Sequence, residues 1–162
     1  MPLSRVFPSG RCLLGLLPLV LAACTLTGSD PAPETPVFDP VAGAYRLDRA
    51  WPDGLHQTLY LSTMEPANGD TLLIRSVVTH RGTEPVEATW RVCGLELTSE
   101  IRFEQAFILC AAYSATGPIA PGDTLVAVDG GRIQASPGTY PLTVQHLLRP
   151  PRSLTVEVQV RP

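Results

Sequence analysis

The chain has no lysine: all twelve of its basic residues are arginine, set against fifteen aspartates and glutamates. It has a single asparagine, Asn68, while glycine, alanine and proline are plentiful. Together these read as the coding bias of a GC-rich genome rather than as selection for bidentate anion binding. The balance is mildly acidic and no stretch gathers basic side chains into a stripe. That argues against a nucleic-acid partner and against electrostatic attraction to anionic lipid. No apolar run reaches the roughly 20 residues that a membrane-spanning helix needs. Cys-x-x-Cys, His-x-His, His-x-x-x-His and Gly-x-Ser-x-Gly are all missing, and with them the linear signatures of a redox pair, a metal site and a nucleophile elbow. The sequence therefore names no catalytic residue, metal or cofactor, and the expectation is a protein that is not an enzyme.

What is present begins at the N-terminus. Arg5 and Arg11 form a positive region without acids, residues 13–20 are apolar apart from Pro18, and Leu21-Ala22-Ala23 supply small residues ahead of Cys24. This order is that of a cleavable signal, and its ending in Cys24 resembles a bacterial lipoprotein signal. The resemblance implies removal of residues 1–23 and lipid on the Cys24 sulfur, with the protein held in the cell envelope through that membrane anchor. Two or more acyl chains anchor stably where one does not. Thr25 is not the aspartate that favours inner-membrane retention, so the expected site is the outer membrane, facing the periplasm. The alternative is an ordinary secretory peptide with Cys24 an incidental thiol. Cleavage removes two arginines and no acid, taking the net charge from −3 to about −5.

Cys12 leaves with the signal and Cys24 carries lipid, so Cys93 and Cys110 remain. Two thiols in an extracytoplasmic domain invite a disulfide, which would stabilise the fold by on the order of 3 kcal/mol in the chain-entropy model. Two buried free thiols, or a redox or metal pair, are the other readings.

Residues 24–40 form the lipid anchor and a proline-spaced linker. Spaced prolines favour extended, unpaired backbone, so this stretch reads as a semi-rigid tether of roughly 3 Å per residue, with Val37 and Phe38 placed to dock on the domain edge. Residues 41–162 are enough for one domain with a real core, and their pattern is β. Runs rich in β-branched and aliphatic residues fall at 55–61, 71–79, 86–93, 101–104, 124–128, 140–148 and 154–160, separated by Pro/Gly turns. Asn68-Gly69 marks a turn between the first two. The last alternates cleanly, with Leu154, Val156, Val158 and Val160 inward. Residues 103–113 fit a buried strand or a short helix; Cys110 and the β-preferring residues around it favour strand. Asp129-Gly130-Gly131 reads as a hairpin turn. The expected fold is all-β, an antiparallel immunoglobulin-like sandwich of about seven or eight strands.

Three turn-centred motifs carry a family resemblance. Val78-Thr79-His80-Arg81-Gly82-Thr83-Glu84-Pro85-Val86, Ala120-Pro121-Gly122-Asp123-Thr124 and Ser136-Pro137-Gly138-Thr139-Tyr140 are similar to turns in the immunoglobulin-like domains of the BsuPI proteinase-inhibitor family. His80 stands where that family commonly has asparagine, and Cys93 and Cys110 have no counterpart in the cytoplasmic inhibitor. The resemblance implies a sandwich fold and, as one version of its partner, a proteinase.

His56, His80 and His146 are the only histidines, and scattered histidines of this kind read as surface or rim residues. Trp51-Pro52-Asp53-Gly54 is a turn whose tryptophan folds back over the end of a sandwich, or else serves as a recognition tip. Two functional readings stand first. One is a tethered, non-catalytic module that binds an unknown envelope protein by loops or an exposed strand edge. The other is a metal- or small-ligand-binding protein or enzyme whose site is assembled from His56, His80 and neighbouring carboxylates. A structural envelope lipoprotein is the third.

Overall fold

A computed structural model describes residues 34–105 and 114–162. They form ten strands and no helix: β1 (Val37–Asp39), β2 (Ala44–Ala50), β3 (Leu55–Leu61), β4 (Thr71–His80), β5 (Val86–Thr98), β6 (Arg102–Gln105), β7 (Ser114–Ile119), β8 (Thr124–Gln134), β9 (Gly138–Arg149) and β10 (Arg152–Val160). A first sheet has the order β1-β2-β3-β4-β8-β6 and a second the order β10-β9-β5-β7. Every ladder in both is antiparallel. The architecture is the expected two-sheet β-sandwich.

Three strands exceed the runs visible in the sequence. β1 is three residues long, β2 reads Ala-Tyr-Arg-Leu-Asp-Arg-Ala, and β7 reads Ser-Ala-Thr-Gly-Pro-Ile. β2 and β7 are not rich in strand formers, β1 has only Val37 and Phe38, and each is held by pairing with a neighbouring strand. β1 comes from the segment read as tether: Phe38 pairs with Tyr45, and the two rings meet edge to face at 5.4 Å. Just before it, the Glu34 amide donates to the Thr155 carbonyl at 3.0 Å, while Gln159 and Arg161 amides donate to Met64 and Pro66 carbonyls, each at 2.9 Å. These bonds cover the outer edge of β10 and blunt it against unwanted pairing.

The hairpin turn expected at Asp129-Gly130-Gly131 is not there. β8 passes straight through these residues, with Ile74 opposite Asp129, Leu73 opposite Gly130 and Leu72 opposite Gly131. Gly130 has φ +130°, and a Cβ on it would lie 2.1 Å from the Leu72 carbonyl oxygen. The glycine is required by close approach of the β4 backbone rather than by a reversal of the chain.

The crossing from β8 to β9 carries one of the three resembling motifs. There the Tyr140 hydroxyl donates to the Ser136 carbonyl at 2.9 Å, tying the start of β9 back to the crossing.

Alternation decides the core. Leu154, Val156, Val158 and Val160 are all buried as expected, opposite Leu59, Leu61, Leu72, Ile74 and Ile133 of the first sheet in one large cluster. A second, smaller cluster of Leu55, Val78, Ala88, Ile119 and Leu148 fills the other end, under Trp51 and Trp90. Trp51 thus folds back as core. The guanidinium groups of Arg49 and Arg152 lie over its ring, 5.4 and 5.1 Å from the centroid, and Arg152 is ion-paired with Asp53 of the same turn.

Between the clusters the inward positions of three strands turn polar at one level. On β3 Gln57 stands between Leu55 and Leu59; on β4 Ser76 lies between Ile74 and Val78; on β9 His146 lies between Val144 and Leu148. A polar belt therefore divides the apolar interior in two.

Candidate interaction surface

The belt is a hydrogen-bonded chain across the sandwich. Gln57 Nε2 donates to Ser76 Oγ at 3.1 Å, and Ser76 Oγ lies 3.1 Å from His146 Nδ1. The Ser76 hydroxyl accepts from Gln57 and can in turn donate to Nδ1 of a neutral imidazole, while Gln57 Oε1 is buried without a partner among the described residues. Burial disfavours the imidazolium and lowers the His146 pKa to about 4. Ser76 is 0 % exposed and His146 1 %, so this serine–histidine pair offers no nucleophile that a substrate can reach.

His80 is buried as well, at 1 % exposure, with neither ring nitrogen hydrogen-bonded. Gly54 and Gly82 make room for it: a Cβ on Gly82 would come within 2.9 Å of Nε2, and one on Gly54 within 2.7 Å of the Gly82 Cα. The expectation that the histidines sit at the surface or rim thus fails for His80 and His146. Their strands are inward-facing at those positions, and only His56 reaches the outer face. The assembly of His56 with His80 fails for the same reason. His56 is opposite Thr79, whereas His80 is opposite Leu55, so the two imidazoles project from opposite faces of one sheet. Among the described residues no three His, Cys, Asp or Glu side chains gather to hold a metal ion.

Cys24 and Cys110 lie outside the described residues. Cys93 belongs to β5, where the pairing with β9 shifts register between Trp90 and Leu95; the proposed partner Cys110 being undescribed, the disulfide is neither placed nor displaced.

The unusual surface is the outer face of the first sheet. Antiparallel sheets that bury one face ordinarily present polar residues on the other, and β3 does so with His56, Thr58 and Tyr60. β4 and β8 do not. Leu73, Val126 and Val128 point outward at 55, 52 and 50 % exposure, and Val77 lies directly opposite Val126 on the same face. Arg75, opposite Val128, has its guanidinium 4.3 Å above the Tyr60 ring. Beside it the β1–β2 turn and β4 leave a shallow groove of about 290 Å³ floored by Tyr60, Leu73 and Val128. The sequence carried a signal for this face: Leu72-Leu73-Ile74 and Leu125-Val126-Ala127-Val128 are unbroken apolar runs, where a half-exposed strand should alternate.

No family model, curated protein or solved structure matches the chain.

Proposed function

We propose that this chain is a lipid-anchored cell-envelope protein, held through Cys24 at the outer membrane and facing the periplasm, whose sandwich is a non-catalytic protein-binding module. The observation that carries the binding part is the apolar outer face of β4 and β8. Leu73, Val126 and Val128 each leave about half their surface in water, and covering the remainder gives about 1 kcal/mol apiece. The sum of about 3 kcal/mol is roughly a hundredfold in affinity. That makes the patch the apolar centre of a larger interface rather than an interface by itself.

The anchor rests on the order of signal features before Cys24. A proteinase as the partner is supported by the turn motifs at residues 78–86, 120–124 and 136–140. A bond between Cys93 and Cys110 is supported by the count of thiols left after processing.

The test is capture from envelope extract on the full mature chain beside a Leu73→Ser, Val126→Thr double variant that keeps strand-compatible residues. One or a few proteins enriched on the native chain and lost on the variant, at equal melting temperature, support the reading; a proteinase among them supports the inhibitor version. Equal capture by both would place binding elsewhere. For the anchor, Cys24→Ala should abolish incorporation of radiolabelled palmitate and release the chain from membranes, and retention of both would refute it.

A further inference from the structure

On the opposite side of the sandwich, the outer face of the second sheet holds a groove of about 370 Å³. It opens where β5 departs from β9: Trp90 still pairs with Leu148, but the next pair is Leu95 with His146. Four residues on β5 therefore span the place of one on β9, an irregularity of the kind that re-aims side chains near binding sites. Arg91 and Arg149 flank the opening, with the hydroxyls of Thr89 and Ser114 and the amide of Gln145 along it.

Arginine as such carries no signal in a chain without lysine; the placement does. Thr89 is the direct cross-strand partner of Arg149, and Arg91 follows two residues later on the same strand, within diagonal reach of long side chains. Like charges so placed repel, and neither guanidinium has a carboxylate within ion-pair distance among the described residues. The acid that lines the groove, Glu96, is opposite Gln145, four residues along β9 from Arg149 and so about 13 Å away in an extended strand.

We propose that this groove binds an acidic peptide segment, one carboxylate being held between Arg91 and Arg149. Guanidinium forks match a carboxylate in two-point geometry, and hydroxyl and amide groups spaced along a slot suit a peptide backbone. The site is independent of the apolar face on the first sheet.

The test is calorimetric titration of the full chain in nonionic detergent with capped hexaglutamate, capped hexaglutamine and inorganic phosphate. Hexaglutamate should bind saturably, one per chain, and at least tenfold more weakly to Arg91→Gln and Arg149→Gln. Arg75→Gln, on the other sheet, should bind as the native chain does. Arg149→Lys, which retains charge but not the fork, should fall between. Absence of saturable hexaglutamate binding, equal loss in Arg75→Gln, equal binding of hexaglutamine, or tighter binding of phosphate at the same arginines would each overturn the assignment. Both mutated arginines are exposed, so unchanged melting temperatures are expected; if Arg91→Gln or Arg149→Gln fails to fold, Arg149→Lys reads the same site.

Discussion

Acidification should weaken this fold through His146, and by an amount the structure sets. In the unfolded chain the imidazole takes its proton near 6.5; in the folded state burial delays protonation to about 4. Between those values the unfolded state binds more protons, so stability falls as pH falls. The contribution is complete above pH 6.5, declines from there to about pH 4, and does not decline further below. The gap corresponds to about 3 kcal/mol in full, of which about 2.5 kcal/mol is already lost at pH 4.5. Against the 5–15 kcal/mol typical of a domain, that is a large fraction. The bond to Ser76 gives the loss a structural course, because a protonated Nδ1 no longer accepts from the hydroxyl.

The carboxylates with shifted pKa act in a different window. A hydrogen bond from the Ala42 amide N–H holds Asp39 below 3.8, and for Asp48 partial burial, which raises its pKa, is outweighed by hydrogen bonds from Arg46 and Thr58 that hold it below the same value; both contributions are lost only as pH falls through those lower values. Urea denaturation at pH 7 and pH 4.5, compared between native protein and His146→Gln, therefore isolates this histidine. Native protein should lose about 2.5 kcal/mol more between the two than His146→Gln, which is weaker at pH 7 but has no titrating ring. Parallel losses in the two proteins would refute the argument, as would an imidazole proton resonance of His146 that titrates near pH 6.5.

Gly130→Ala should cost at least about 2 kcal/mol or prevent folding, because it joins a left-handed φ to a collision with the Leu72 carbonyl; a melting temperature within a degree of native would contradict the close approach. Cys93→Ser with Cys110→Ser should lower stability by about 3 kcal/mol without changing localisation, and melting that is indifferent to reductant would count against the bond. If Cys24 is N-acylated, a chain without lysine has no primary amine, so an amine-reactive dye should leave it unlabelled; strong labelling would mean a free N-terminus.

The parts of the fold that were legible in the sequence are those where one face dominates. β10 alternates with no exception from Leu154 to Val160, and its buried face followed directly. β2 and β7 were not legible because short strands at or near an edge owe their existence to pairing, which leaves little trace in their own composition, while β1 showed only as the docking pair Val37 and Phe38. Asp129-Gly130-Gly131 misled because a glycine demanded by a neighbouring backbone is indistinguishable, in one sequence, from a glycine demanded by a turn. The inward placement of Gln57, Ser76, His80 and His146 was hidden for a related reason: residue type argues for the surface, and only the register of each strand overrides it. The arginines of the second-sheet groove come together only through the irregular pairing of β5 with β9, which no local pattern announces.

β4 gathers both departures from ordinary alternation on one strand. Its inward set is Leu72, Ile74, Ser76, Val78 and His80; its outward set is Thr71, Leu73, Arg75, Val77 and Thr79. Polar groups are placed where apolar ones would pack more cheaply, and apolar groups where polar ones would be better solvated. A strand selected only for stability would exchange them, since an inward serine and histidine cost desolvation and outward leucine and valine gain nothing in the isolated domain. The inward irregularity has an internal use: three polar positions that meet at one level penalise any slip of β3, β4 or β9, because a one-residue slip reverses every face and leaves the belt unpaired. The outward one has none among the described residues. Local rules broken without an internal return are where natural sequences carry function, and this places the search for a partner on the outer face of β4 and β8.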